Sequence, residues 1–227
     1  VRWEDLLLRL PVSPLEEMAS CYGKASTGSA PVGDEATKLA CPYLPIQCAI
    51  TKDNETIELL LDVFSIDDEY EQGFRLMNDV IVEGKTWPFM EVFDTMEAYK
   101  GYFHSHSAFV VKFKDQVKHG SDILGCFYVK PNYPGRCAHI CNGGFISNPK
   151  YRGLGVGTFM GETFKQLAKD LGYRASLFNL VFATNTASVK LWRKLGFQQI
   201  GITPKVAVLE GEEGYVDAFQ LYFDFYP

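Results

Sequence analysis

Residues 146–158 read ISNPKYRGLGVGT and stand between a strand-like segment and a helix-like segment. The preceding residues 139–145 have the apolar pattern of a strand, which Pro149 interrupts. After Thr158, apolar residues recur at helical spacing, at Phe159, Met160, Phe164, Leu167 and Leu171. The predicted order is therefore strand, glycine-rich turn and helix. Glycines let a ligand approach the backbone and the first amides of a helix are unpaired, so this turn is suited to a diphosphate.

Three kinds of nucleotide-binding loop can be compared with this turn. A Walker loop needs Lys between its last glycine and Ser/Thr, but Thr158 follows Gly157 directly. A dinucleotide fingerprint needs Gly-x-Gly-x-x-Gly and an acidic residue about 20 positions later. Here Gly153, Gly155 and Gly157 are two positions apart, and position 179 is Asn. The third pattern is Arg-x-x-Gly-x-Gly, formed by Arg152, Gly155 and Gly157. It resembles the coenzyme A pyrophosphate loop of the GCN5-related N-acetyltransferases (GNAT). For this stretch alone, an ordinary glycine-rich turn is the alternative.

A second motif follows at the distance that the same family requires. Residues 175–182 form an almost unbroken apolar run, which is typical of a buried parallel strand. Residues 185–197 then read NTASVKLWRKLGF. This resembles the GNAT pattern Asn-x-x-Ala/Ser-x-x-Leu-Tyr-x-Lys-x-Gly-Phe, a short amphipathic helix closed by a glycine. Two motifs in the right order, separated by a helix and a strand, favour the GNAT fold over an accidental match.

The resemblance implies an α/β (α+β) architecture in a single domain spanning 1–227. The expected sheet is mixed and mostly antiparallel, with about seven strands flanked by helices and a splay between the two central parallel strands. Residues 108–225 carry the motifs, and the N-terminal extension 1–54 matches less clearly. The resemblance also implies that acetyl-CoA is the co-substrate and that no metal is needed. The cofactor-binding residues that the motifs imply are Phe145, Arg152, Gly153, Leu154, Gly155, Val156, Gly157, Thr158, Asn185, Ser188 and Trp192.

Composition excludes several other classes of protein. Of 227 residues 47% are hydrophobic and 22% charged, which is ordinary for a globular chain. A net charge of −6 without a dense Lys/Arg run argues against a nucleic-acid partner. No apolar run is long enough for a membrane span, and Val1–Leu10 lacks a signal-peptide pattern. We therefore expect a cytoplasmic protein, with mitochondria as the alternative.

The six cysteines have no regular framework spacing, so reduced thiols are expected. Cys137, His139 and Cys141 would share one face if they lay on a strand. They could then contribute to a zinc site completed by a histidine, with His104, His106 and His119 as candidates. Cys141 alone could be a nucleophile, but a small core residue is the commoner role of a cysteine.

The remaining chain can be divided by its periodicity and its turn residues. Residues 20–45, rich in Gly, Pro, Ser and Ala, predict an extended or mobile connector. Helices are predicted at 67–82 and 94–102, the second capped by Asp94 or Thr95. A polar turn is predicted at 114–121. Strands are predicted at 55–63 (the first), 108–113, 123–129, 198–209 and 218–225.

The acid and base that many GNAT enzymes use are absent from their usual positions. Neither 139–145 nor 175–182 contains a carboxylate, and Trp192 stands where relatives often have a proton-donating Tyr. An indole N–H can donate a hydrogen bond but is not an acid at neutral pH. Three amides remain as candidates: Asn142, Asn179 and Asn185. The splay would bring Asn142 and Asn179 face to face, where neutral amides could orient an amine and favour its unprotonated form. The alternatives are bonds to local backbone and, for Asn185, a plain helix N-cap.

A narrower resemblance lies in the segments 141–145 (CNGGF), 178–185 (FNLVFATN) and 130–133 (KPNY), with 84–88 (GKTWP) in support. Together they are similar to the fungal proline-analogue N-acetyltransferases, which acetylate the ring nitrogen of L-azetidine-2-carboxylate and related imino acids. In that family Asn at the positions of Asn142, Asn179 and Asn185 is implicated in substrate binding and catalysis, and the enzymes are homodimers. Gly143 replaces a family Ala. The alternatives are acetylation of another small amine or a protein amine, and a non-catalytic acyl-CoA sensor.

Overall fold

The computed structural model of the protein describes residues 32–52 and 55–227. Val1–Leu10, Cys21 and the first part of the connector predicted for 20–45 lie outside these ranges. No helix within them is both long and apolar enough to cross a bilayer.

The described residues form six α-helices, two 3₁₀ turns and eight strands. The helices are α1 (Asp34–Ala40), α2 (Asp67–Glu83), α3 (Met96–Phe103), α4 (Gln116–His119), α5 (Val156–Asp170) and α6 (Thr186–Lys194), with 3₁₀ turns at Gly135–Cys137 and Pro149–Tyr151. The strands are β1 (Ile46–Lys52), β2 (Glu55–Val63), β3 (Ser107–Phe113), β4 (Ile123–Pro131), β5 (Ile140–Ser147), β6 (Ala175–Phe182), β7 (Gln198–Ala207) and β8 (Val216–Asp224).

The strands form one sheet in the order β1-β2-β3-β4-β5-β6-β8-β7. Every neighbouring pair is antiparallel except β5 and β6. Side chains alternate between two apolar layers, as the strand period requires. Phe109 and Phe127 join the layer beneath α5 and α6, whereas Val110 and Tyr128 join the layer beneath α2 and α3. This confirms the predicted mixed, mostly antiparallel sheet flanked by helices.

The two central parallel strands separate soon after they meet. β5 and β6 pair only at Ile140–Ala175 and Cys141–Ser176. Beyond these pairs they diverge, and β6 has an irregularity between Phe178 and Val181 where it pairs with β8. The predicted splay is therefore present, and it begins directly before Asn142.

Most predicted elements are found within two residues of their expected ends. Thr95 caps α3, its hydroxyl accepting a hydrogen bond from the Ala98 amide at 3.1 Å. Gly84 ends α2 with φ at 66°.

Three local expectations were wrong. The described part of the connector contains helix α1, whose N-terminal Asp34 and Glu35 suit a helix start. The expected first strand is the second, because Ile46–Lys52 pairs along its whole length with β2 and makes the sheet eight-stranded. The polar turn at 114–121 includes the single-turn helix α4, capped by Asp115.

Candidate active site

The glycine-rich turn is held in place by the strand next to it. The Asn148 side chain donates to the Ile123 carbonyl at 2.8 Å and accepts from the Lys150 amide at 3.0 Å. Asp122 binds both Lys150 and Tyr151, each at 2.6 Å, and these two bonds lower the pKa of its carboxyl. Gly153 and Gly155 have φ of 81° and 83°, which side-chain-bearing residues rarely adopt. The turn therefore depends on its glycines and on the start of β4.

Helix α5 presents free amides at this turn. Its first helical bond runs from the Phe159 amide to the Gly155 carbonyl at 3.0 Å. The amides of Val156, Gly157 and Thr158 precede that bond and have no partner within the helix. With the positive end of the helix dipole behind them, they form a site suited to an anionic diphosphate.

One large cavity connects this turn to the splay. It has a volume of about 980 Å³, which is in the range expected for a ligand site. The sequence-predicted residues that line it are Asn142, Phe145, Arg152, Gly153, Gly155, Val156, Gly157, Thr158, Asn179, Asn185, Ser188 and Trp192. Leu154 is not among them and packs instead against the apolar layer beneath α5. The residues predicted from two separate motifs thus surround the same space.

Trp192 and Phe145 meet at the floor of the cavity. Their ring centres are 4.6 Å apart, and Trp192 lies equally close to Phe178. Trp192 is only 4% exposed, so it is part of the core as well as of the cavity wall. A β-carbon at Gly143 would come within 2.9 Å of the Phe145 and Phe164 rings, so these rings could not keep their positions beside an alanine.

The three predicted asparagines play different structural roles. Asn185 accepts a hydrogen bond from the Ser188 amide at 3.1 Å, which is the N-cap role considered as its alternative. Asn142 accepts from the Gly143 amide at 2.8 Å, so its oxygen binds local backbone. Its amide nitrogen makes no hydrogen bond to the described residues. Both Asn142 and Asn179 line the cavity at the start of the splay.

Asn179 is held by a fourth asparagine, to which no role was assigned from the sequence. The Asn132 amide donates to the Asn179 oxygen at 3.1 Å, and the Asn179 amide donates to the Asn132 oxygen at 2.5 Å. Asn132 directly follows β4, and its backbone amide donates to the Ile140 carbonyl at 2.8 Å. The only sequence signal for this residue was its presence in the segment 130–133.

The opposite wall of the cavity is aromatic. It is formed by Trp87, Tyr102 and Tyr128, with the two tyrosine hydroxyls 3.1 Å apart. Burial raises the pKa of Tyr102 to about 12, partly opposed by its hydrogen-bonding neighbours Tyr128 and Trp87. The hydroxyls therefore stay protonated and can act as hydrogen-bond donors at neutral pH.

Carboxylates are found at the mouth of the cavity rather than at the splay. Glu83 ends helix α2, and Glu210 and Glu212 lie on the loop between β7 and β8. A hydrogen bond of 3.0 Å from the Glu210 amide to the Gly84 carbonyl joins this loop to the end of α2. The Arg152 guanidinium is 3.8 Å from the Glu83 carboxylate. These carboxylates were missed in the sequence because they are brought to the site only by the fold.

The cysteine alternatives do not form a site. Cys137 is exposed in a 3₁₀ turn, whereas Cys141 is buried on β5, so the two do not share a strand face. Burial raises the pKa of Cys141 to about 12, which keeps it a thiol. No group of three or more metal-ligating residues occurs within 32–52 and 55–227.

The fold and cavity match one enzyme family. Residues 68–197, more than half of the chain, match the model of the acetyltransferase (GNAT) family. The chain belongs to this family.

Two curated relatives and two solved structures illustrate the relationship. N-acetyltransferase aca1 of Schizosaccharomyces pombe is 48% identical over 105 residues, 46% of this chain and 50% of aca1. Protein SPT10 of Saccharomyces cerevisiae is 41% identical over 96 residues, 42% of this chain and 15% of SPT10. The chain therefore spans half or less of these two relatives.

Among solved structures, a GCN5-related N-acetyltransferase from Kribbella flavida has a TM-score of 0.66 at 26% identity, covering 73% of this chain and 97% of that chain. The yncA structure from Salmonella typhimurium, which contains its cofactor acetyl-CoA, has a TM-score of 0.62 at 14% identity. It covers 74% of this chain and 94% of that chain, and at this identity the likeness concerns the fold alone.

Proposed function

We propose that the protein is an acetyl-CoA-dependent N-acetyltransferase whose acceptor is the ring nitrogen of a small cyclic secondary amino acid. L-azetidine-2-carboxylate and other proline analogues are the proposed substrates, acetylated by direct transfer in a ternary complex. Family membership supports the acetyl transfer. The observation that carries the acceptor site is the gap between β5 and β6, where Asn142 and Asn179 line the same cavity as the glycine-rich turn.

The residues present fit acetyl-CoA, which would supply the activated acetyl group. The free amides of Val156, Gly157 and Thr158 would hold its diphosphate, and Arg152 would add a positive charge beside them. We expect that charge to leave Glu83 when the diphosphate binds, because the existing pair is half-exposed and therefore weak.

The acceptor nitrogen must be unprotonated in order to react. A carboxylate beside it would favour the ammonium form, but β5 and β6 contain none. The Asn142 amide nitrogen and the Asn132-bound amide of Asn179 can orient the nitrogen without adding negative charge. The aromatic wall of Trp87, Tyr102 and Tyr128 suits a small apolar ring.

A second candidate acceptor is favoured by the carboxylates at the cavity mouth. Glu83, Glu210 and Glu212 would attract a cationic amine, such as another small amine or a protein amine. A non-catalytic acyl-CoA sensor would use the same cofactor turn without any acceptor.

Coenzyme A release with a panel of amines distinguishes these functions. We expect turnover with L-azetidine-2-carboxylate that exceeds turnover with primary amines and with a lysine-containing peptide. Asn142→Ala and Asn179→Ala should each lower this turnover about 10²-fold, as for loss of one positioned polar group, with acetyl-CoA affinity unchanged. Preference for the peptide would support the second candidate. If none of the amines causes coenzyme A release, the sensor would be supported.

We also propose a homodimer, on the narrower resemblance described above. The edge strand β7 supports it, since Ile200 and Ile202 there are 56% and 53% exposed. Sedimentation at several protein concentrations tests this, and a monomer throughout contradicts it.

A further inference from the structure

Lys130 is a half-buried cation beside the acceptor end of the cavity. It lies on β4 directly opposite Asn142 in the β4–β5 ladder. Directly opposed residues of an antiparallel pair project from the same face, with β-carbons about 5 Å apart. Lys130 also lies two residues after Tyr128 and so shares its face of the sheet. The ammonium is 3.9 Å from the centre of the Tyr102 ring and 4.3 Å from that of the Tyr128 ring.

This cation has no counter-charge among the described residues. None of the ion pairs within 32–52 and 55–227 includes Lys130. Burial lowers its pKa to about 8, and no acidic group opposes that effect. Burial and the charge of Lys130 lower the pKa of the nearby His106 to about 4, so this side chain is neutral and adds no second positive charge.

Lys112, another half-buried lysine of this sheet, is in a different situation. Its ammonium is paired with the Glu69 carboxylate, which is 3% exposed. Buried charges in proteins are normally paired in this way. The two tyrosine faces stabilise Lys130 by cation–π attraction, but they do not neutralise its charge. The missing partner of Lys130 is therefore an anion that the residues described by the structure do not provide.

We propose that Lys130 binds the carboxylate of the acceptor, and that the enzyme selects amines that carry a carboxylate on the adjacent carbon. Asn142, Tyr102 and Tyr128 all line the cavity, and Lys130 is next to each of them. In an α-amino or imino acid the nitrogen and the carboxylate are attached to one carbon. They can therefore contact two side chains that project side by side from neighbouring strands. This inference rests on the proposed function and identifies the chemical class of its substrate.

A carboxylate also explains how the site can tolerate an acidic mouth. The zwitterionic form of an amino acid is neutral, so Glu83, Glu210 and Glu212 do not repel it. A simple cationic amine would meet a second cation at Lys130. The carboxylates at the cavity mouth and the Lys130 ammonium beside the cavity wall thus match the two charges of an amino acid.

The test compares two acceptors that differ only in the carboxylate. Coenzyme A release is measured with L-azetidine-2-carboxylate and with azetidine, using wild type, Lys130→Met, Lys130→Arg and a surface control. The control is Lys118→Met, which removes the same charge from an exposed site paired with Glu55.

We expect Lys130→Met to lower kcat/KM for L-azetidine-2-carboxylate about 10²-fold, mainly through KM. For azetidine, kcat/KM should not fall and should rise if the positive charge of Lys130 repels the azetidinium ion. Lys130→Arg should restore part of the loss, and Lys118→Met should behave as wild type. Equal losses for both acceptors, or no loss for the acid, would overturn the proposal. Lys130→Met should fold, because an unpaired buried charge is replaced by an apolar chain of similar length.

Binding of cyclobutanecarboxylate, which has no amine, separates this proposal from the proposed function. Titration calorimetry should detect binding to wild type and at least tenfold weaker binding to Lys130→Met. If wild type acetylates acyclic amino acids as well as imino acids, with the same dependence on Lys130, the ring preference is wrong and the Lys130 assignment stands. If cyclobutanecarboxylate binds both proteins equally, the Lys130 assignment is wrong, whichever amine is acetylated.

Discussion

The reciprocal pair between Asn132 and Asn179 should be a measurable part of catalysis. Asn132→Ala removes two hydrogen bonds, of 3.1 and 2.5 Å, and leaves the Asn179 amide free to rotate at the gap. A net contribution of about 1 kcal/mol for each bond gives a loss of about 2 kcal/mol. If that energy orients Asn179 toward the acceptor, kcat/KM should fall roughly 10- to 30-fold.

The assay is a double-mutant cycle with Asn179→Ala, read as coenzyme A release. Once Asn179 is an alanine, removing Asn132 should have little further effect, so the coupling energy should be about 1–2 kcal/mol. Acetyl-CoA affinity should stay at the wild-type value, because the two hydrogen bonds that are lost join Asn132 to Asn179 and neither involves the glycine-rich turn.

A matched control separates orientation from stability. Asn78 also makes two side-chain hydrogen bonds, to the Phe93 carbonyl at 3.0 Å and from the Phe93 amide at 2.9 Å, outside the cavity. Asn78→Ala should lower the free energy of unfolding by about 1–3 kcal/mol and leave kcat/KM unchanged. Additive effects of Asn132→Ala and Asn179→Ala on kcat/KM would refute the reasoning.

Two further predictions concern the cofactor turn and the response to pH. Gly157→Val should abolish acetyl-CoA binding in calorimetry while the thermal unfolding temperature changes little, since its β-carbon would meet only ordinary contacts, such as Leu191 at 3.6 Å; Gly155→Val is a poorer test, because φ of 83° strains any side chain there. Unchanged binding to folded Gly157→Val would contradict a diphosphate site at this turn. Both ring nitrogens of His104 are buried and have no hydrogen-bond partner among the described residues, and burial lowers its pKa to about 3, with a smaller contribution from Lys100. In the unfolded chain His104 is protonated below about pH 6.5, whereas in the folded protein it stays neutral to a much lower pH. The free energy of unfolding should therefore fall below pH 6.5, by about 1–2 kcal/mol at pH 5. Urea unfolding at pH 7 and pH 5 should show a smaller difference for His104→Leu than for wild type, and identical differences would refute the assignment.

Local sequence was sufficient where neighbouring residues determine the structure. The turn at Gly153–Gly157 needs backbone angles that glycine adopts, and the N-cap at Asn185 needs a side chain that reaches an amide three residues on. The splay was predicted from the family resemblance, and the pairing of only two residue pairs between β5 and β6 confirms it.

Long-range features could not be read in this way. The contact of Asn132 with Asn179 joins residues 47 positions apart, and it depends on how far β6 departs from β5. The position of Lys130 beside Asn142 depends on the β4–β5 register, which periodicity does not specify. Strand β1, in contrast, was missed although its half-buried Ile46, Cys48 and Ile50 alternate with exposed Gln47, Ala49 and Thr51, which is the pattern of an edge strand with one covered face.

The separation of β5 from β6 also affects how this site can change in evolution. Beyond Cys141 and Ser176, the main-chain N–H and C=O groups that face the gap no longer form hydrogen bonds between the two strands. A ligand in the gap can bind these groups whatever side chains the strands carry, and only proline would remove a donor. Substitutions at Asn142, Asn179 or Lys130 can therefore alter which amine is accepted while the main-chain contacts to a ligand persist. In this protein the sheet itself is a permanent part of the binding site, and the side chains around it are the replaceable part.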